Sequence, residues 1–148
     1  MRLKLHTDYA LRTLIVISSH DDNDWVQGAE IADTFQISKG HVLKVIQRIS
    51  ALGYVETKRG VGGGARLIMK PNQILLGRLI RELEGDDLLP CVGQSKSNCV
   101  LHHQCRLRAL LRTAQDQFYE TLDQYTLEDL TVDSINSSIS NGIVLIEG

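Results

Sequence analysis

Cys91, Cys99 and Cys105 are the only cysteines of the 148-residue chain, and all three fall within one span of fifteen residues. With one residue on either side it reads Pro-Cys-Val-Gly-Gln-Ser-Lys-Ser-Asn-Cys-Val-Leu-His-His-Gln-Cys-Arg. Scattered intracellular cysteines usually act as small buried hydrophobes. The polar residues between the first two of these build no core, so that use does not fit. Disulfides take thiols in pairs, and an odd count leaves one over. Three soft thiolate donors on one loop point instead to a shared soft metal centre. A four-coordinate zinc or a cysteine-held cluster would need one further ligand, or would leave a position open to a small molecule. Structural zinc sites usually include a Cys pair about two to four residues apart. Here the intervals are seven and five residues, which favours iron over a Cys3His or Cys3Asp zinc site. An enzyme using an open iron as Lewis acid would want convergent acid and base groups, and the loop offers only His102 and His103. A non-enzymatic role is the expectation.

Composition bounds the class. Hydrophobic residues make up 43% of the chain and charged residues 23%, as in a soluble globular protein large enough to bury a core. No apolar run reaches the length of a secretory signal or a membrane span, so a cytoplasmic protein without a membrane partner is expected. The net charge of −2 conceals an asymmetry. Residues 1–80 hold 11 Lys/Arg against 7 Asp/Glu, whereas residues 81–148 hold 5 against 11. The basic half is the one suited to touch a polyanion.

The elements that must position the cysteines follow from periodicity. Thr7 is placed to cap a helix over 8–19, with Ala10, Leu11, Leu14, Ile15 and Ile17 apolar. A short helix over 28–35 shows Ile31, Ala32 and Phe35 on one side. After a tight turn, Ser38 caps a helix over 39–52 with Val42, Leu43, Val45, Ile46, Ile49 and Leu52 apolar, and Gly53 ends it. Residues 54–59 alternate as a strand, the Gly-rich 60–64 segment turns, and 65–69 returns as a second strand. Residues 73–84 are helical in pattern, with Ile74, Leu75, Leu79, Ile80 and Leu83 apolar. From Cys105 to about Tyr125 a long helix aligns Leu107, Leu111, Ala114, Phe118, Leu122 and Tyr125 as a seam for a partner helix. The fold class expected is mainly α with a small β-hairpin wing: a winged helix-turn-helix domain over 1–84, a cysteine loop over 85–104, a dimerisation helix over 105–130 and a tail over 131–148.

Gly60-Val-Gly-Gly-Gly-Ala65 matches a dinucleotide-binding fingerprint in form only. That fingerprint must open a helix. Here a strand pattern follows and runs into Pro71, so the glycines belong to a hairpin turn. In a winged helix-turn-helix, the start of the second helix of the pair enters the major groove. The groups expected there are Ser38, Lys39, His41 and Lys44, with Arg48 a turn further on. Ser38 and the free helix-start N–H groups suit a phosphate, the lysines release counterions, and His41 can reach a base edge. Lys58, Arg59 and Arg66 place further cations on the wing around Gly60, beside an adjacent minor groove. Double-stranded operator DNA is the expected partner.

With wing and cysteine loop together, the chain resembles the Rrf-type winged-helix regulators, a bacterial family of iron–sulfur transcription factors. The resemblance runs from Met1 to about Leu130. It is carried by Thr7-Asp-Tyr-Ala-Leu-Arg12, Gly53-Tyr-Val, Arg59-Gly60, Gly63-Gly64, Arg81-Glu-Leu-Glu84, Cys105-Arg-Leu and Tyr125-Thr-Leu-Glu-Asp-Leu130. It is closest to the family's nitric-oxide-sensing branch. The resemblance implies a homodimeric repressor with a 4Fe–4S cluster on Cys91, Cys99 and Cys105, and a fourth ligand, Asp8, from the other subunit. It further implies that nitric oxide attacks the cluster and releases the operator, derepressing nitric-oxide detoxification genes. The alternative is a 2Fe–2S redox sensor or regulator of cluster assembly, a branch whose histidine ligand lies three residues after the last cysteine. Arg108 occupies that position here, and His102 and His103 match no ligand position. From the residues alone Asp8 is an ordinary helix-start acid, with Arg12 at i+4 as its ion-pair partner, close to any cluster that Asp8 would bind.

Overall fold

Helix α1 (Leu5–Ser18) buries Ala10, Leu14 and Ile17 at the centre of the computed structural model, which describes residues 2–85 and 105–131. Cys91, Cys99, His102, His103 and the tail from residue 132 onward lie outside the described residues. The helix begins a turn earlier than the sequence suggests. Lys4 holds the N-cap position, and Thr7 is fully buried within the first turn instead of capping it. The cause is tertiary: the Lys4 N–H is bonded to Glu84 Oε1 at 2.8 Å, which fixes the chain ahead of Thr7.

Helices α2 (Gly28–Phe35) and α3 (Lys39–Ala51) form the helix-turn-helix. Gln36 turns the chain in the left-handed region, and the Ile37 N–H returns to the Ala32 carbonyl at 3.0 Å. Ser38 caps α3 as expected, its Oγ accepting from the His41 N–H at 3.3 Å. Val42, Val45, Ile46 and Ile49 are buried, each contributing about 1.5–3 kcal/mol of apolar burial. Leu43 departs from the expected apolar face and is 47% exposed. Four-residue spacing aligns it with the exposed Lys39 and Gln47.

Strands β1 (Val55–Lys58) and β2 (Gly64–Leu67) pair antiparallel, Val55 opposite Leu67 and Lys58 opposite Gly64. Gly60 (φ 92°) and Gly62 (φ 70°) supply the left-handed backbone of the tip, which a side chain would strain. Val26 adds a third rung beside the hairpin, exchanging both backbone hydrogen bonds with Ala65 at 2.9 Å.

A 3-10 turn over Pro71–Gln73 leads to helix α4 (Leu76–Glu84). The helix starts later than its apolar pattern suggests. Ile74 accepts from the Leu127 N–H at 2.9 Å, and the Leu76 N–H donates to the Tyr125 carbonyl at 3.0 Å, so this stretch pairs with 125–127 before the helix starts. The same pairing explains why helix α5 (Arg106–Leu122) ends short of Tyr125. Helix α5 lies against α4, and Gly77 permits the approach: a Cβ there would overlap the Tyr119 carbonyl oxygen. Tyr119 is buried, Leu127 is fully buried, and Leu122 and Leu130 pack on the core built by residues 10–83. The seam residues fare differently: Leu107 and Tyr125 are exposed, as is the neighbouring Leu110. The described residues thus form a mainly α winged helix-turn-helix with five helices and one hairpin.

Candidate DNA interface and the anchor of the cysteine loop

The start of α3 presents Ser38, Lys39, His41 and Lys44 on one exposed surface. Ser38 Oγ lies 2.9 Å from His41 Nδ1, and the Tyr9 ring stands 5.9 Å from the imidazole, so His41 is held from two sides. Across the wing, the Arg66 guanidinium stacks 4.5 Å from the Trp25 ring centroid and bonds Glu56 Oε1 at 2.6 Å. Lys58 lies 5.7 Å from the same ring. Arg59 and Gly60 are exposed at the tip. Lys39, Lys44 and Arg59 make no ion pair among the described residues, leaving their charge available to phosphate.

Arg48, a turn further on, also bonds within the protein. Its Nη2 donates to the Glu82 carbonyl at 3.0 Å, at the end of α4. Two more side chains complete that end: His6 Nε2 donates to the Leu83 carbonyl at 2.9 Å, and the Lys4 ammonium bonds the Glu84 carbonyl. Basic groups at a helix C-terminus satisfy its orphan carbonyls and complement its dipole. The Glu82 carboxylate accepts from the Tyr54 O–H at 2.7 Å and from Arg78 Nε at 3.0 Å. Burial, and then the bond to Glu82 and its charge, push the Tyr54 phenol well above its ordinary range, so it stays a donor. The bond to Glu82 likewise raises the exposed Arg78 guanidinium. Gly85 closes the helix, and the chain passes from there toward Cys91. A pocket of about 420 Å³ lies between α1 and α3 beside this junction, lined by Leu5, Tyr9, His41, Lys44, Val45 and Leu83 among others.

Asp8 lies in the first turn of α1, 42% exposed, with Arg12 Nε at 2.9 Å. Arg12 also stacks over Phe35 at 5.5 Å. Cys105 is a free, half-buried thiol at the N-cap of α5, its Sγ accepting from the Arg108 N–H at 3.4 Å. A sulfur at a helix start, hydrogen-bonded to the backbone, suits a metal-bound thiolate. Among the described residues no three His, Cys, Asp or Glu side chains gather as a metal site. Cys91 and Cys99 lie outside them.

Sequence reasoning missed three things here: the Trp25 platform under the wing cations, the role of Arg48, and the bonds converging on Glu82. A lone tryptophan next to a turn carried a weak signal. Contacts between residues 34 and 28 positions apart carried none.

Among the described residues no helix is long and apolar enough to cross a membrane. The Rrf2 family, described as an iron-dependent transcriptional regulator, matches residues 3–133. A Bacillus licheniformis protein named HTH-type transcriptional regulator NsrR is 43% identical over 131 residues, spanning 88% of this chain and 92% of that protein. The Bacillus subtilis protein of the same name is 42% identical over 131 residues, 88% of this chain and 90% of its own. Among solved structures, CymR, the global cysteine regulator of B. subtilis, superposes with a TM-score of 0.68 at 25% identity, covering 88% of this chain and 96% of CymR. On these matches, and on its winged helix-turn-helix, the chain belongs to the Rrf2 family of transcriptional regulators, close to those named NsrR.

Proposed function

We propose that the protein is an iron–sulfur-dependent repressor that binds operator DNA as a cytoplasmic homodimer and leaves it when nitric oxide attacks the cluster, derepressing nitric-oxide detoxification genes. The observation that carries this reading is the cysteine trio, placed after a winged helix-turn-helix in a chain similar to regulators named NsrR. Cys91, Cys99 and Cys105 would hold the cluster, of 4Fe–4S type, with Asp8 of the other subunit as fourth ligand. When bound, the cluster supplies an iron with a weakly matched carboxylate ligand, the position most open to nitric oxide.

The chain's own residues do the rest. Asp8 is exposed enough to serve a second subunit, and Arg12 orients its carboxylate from four residues on. Cys105 fixes one thiolate at the start of α5. Ser38, Lys39, His41 and Lys44 occupy the major groove, while Lys58, Arg59, Gly60 and Arg66 bring the wing to the backbone nearby.

Protein purified without oxygen should be brown and contain iron and sulfide. Replacing all three cysteines by Ala should give colourless protein, and an iron-replete triple variant would end the reading. Nitric oxide should bleach the visible absorption and abolish operator binding over the same added equivalents. Bleaching with operator affinity unchanged would separate the cluster from the switch.

A further inference from the structure

The last turn of α4 is where the two DNA-reading elements are tied together. The Glu82 carbonyl accepts from Arg48 of α3, and its carboxylate accepts from Tyr54, which immediately precedes β1 of the wing. Tyr54 is only 5% exposed, so its phenol can touch no DNA. A phenol-to-carboxylate bond is charge-assisted and directional, and in a part-buried setting it holds position better than a solvated ion pair. Three residues beyond Glu82, the chain leaves α4 at Gly85 toward the first cysteine.

We propose that Glu82 is a positioning residue that sets the recognition helix and the wing as one unit, so that a change in the chain beyond Gly85 reaches both at once. The proposal rests on the reading above, that α3 and the wing contact operator DNA and that the cysteine-bearing segment carries the signal. Readers anchored at separate points could shift independently and lose contacts one by one. Anchored to one residue, they move together: a rotation of the last turn of α4 displaces α3 through Arg48 and the root of the wing through Tyr54. Contacts in a major groove and beside it need a fixed spacing, so a small common displacement costs several of them. On this account Arg48 acts as a strut between helices.

Two substitutions test the proposal. Tyr54→Phe keeps the ring and its burial and deletes only the O–H. Glu82→Ala deletes the carboxylate that accepts from Tyr54 and keeps the backbone carbonyl that accepts from Arg48. Operator affinity is measured at matched salt for the parent, each single variant and the double variant, in cluster-loaded and cluster-free forms, below the unfolding transition of each. Tyr54→Phe is expected to weaken binding of the loaded protein roughly tenfold or more, as the loss of one charge-assisted bond implies. It should also bring the loaded and cluster-free affinities closer together. The double variant should bind no more weakly than Glu82→Ala, because both changes cut the same link. Parent-like affinity in Tyr54→Phe, or losses that multiply in the double variant, would overturn the proposal. So would an equal loss in both forms that leaves their ratio as in the parent, the mark of a merely structural tyrosine. If the parent itself binds equally well in both forms, the signalling role of the cysteine segment fails, and the Tyr54–Glu82 cycle still decides the coupling of helix and wing.

Discussion

Asp8 has one observed role and one proposed one, of unequal energetic weight. Its bond to Arg12 is a part-buried i,i+4 pair at the surface, worth about 0–1 kcal/mol. Asp8→Ala should therefore unfold near the parental temperature. Its proposed role as the other subunit's ligand predicts a less stable cluster and an altered nitric-oxide titration. If the absorption, operator affinity and titration of Asp8→Ala all overlay the parent, Asp8 is only a helix-start acid. Arg59 is the complementary case, an exposed cation at the wing tip without an ion pair among the described residues. Arg59→Ala should weaken binding alike for all DNA sequences and reduce the slope of log K against log salt by about one. An unchanged slope would remove Arg59 from the interface.

At the scale of elements, the α4–α5 contact depends on an absent side chain. A Cβ on Gly77 would run into the Tyr119 carbonyl and the Asp123 carboxylate, and the latter receives the Arg78 N–H at 2.7 Å. Gly77→Ala should cost about 1–3 kcal/mol, the usual range for overpacking, read as a lower urea midpoint. A midpoint equal to the parent's would mean that α5 is not seated this tightly on α4. The wing carries its own reporter. Trp25 is the only tryptophan, and two wing cations lie over its ring. Operator binding that draws Lys58 and Arg66 toward phosphate should change the Trp25 emission of cluster-free protein. Saturating operator with no spectral change would argue against engagement of this side of the wing.

For the whole molecule, the exposed residues of α5 matter most. Tyr119 turns into the protein, whereas Leu107 and Leu110, three residues apart on α5, are 59% and 63% exposed and open to a second helix. The proposed homodimer would cover them. Leu107→Glu with Leu110→Glu should yield a monomer by sedimentation and lower operator affinity sharply, since a single half-site remains. A double variant that sediments as a dimer would place the interface elsewhere. The two-fold symmetry of such a dimer would set half-sites one helical turn or a multiple apart, about 34 Å.

The order of elements was legible in the sequence because each has a local cause: Ser38 at its cap, the 3.6-residue stripe of Val42, Val45, Ile46 and Ile49, the glycines of the wing tip. The cysteine trio, too, could be picked out by type and spacing alone. The early start of α1, the late start of α4 and the early end of α5 could not be read there, because long-range backbone bonds decide them: Lys4 to Glu84, Leu127 to Ile74, Leu76 to Tyr125. Charge was ambiguous for the same reason. Lys39, Lys44 and Arg48 look alike along one helix, yet only the fold brings the end of α4 within reach of Arg48 and engages one of its guanidinium N–H groups. Periodicity reports which face of an element is apolar. Where two elements meet end to end, the partners of the terminal carbonyls come from elsewhere in the chain, and only tertiary structure can assign them.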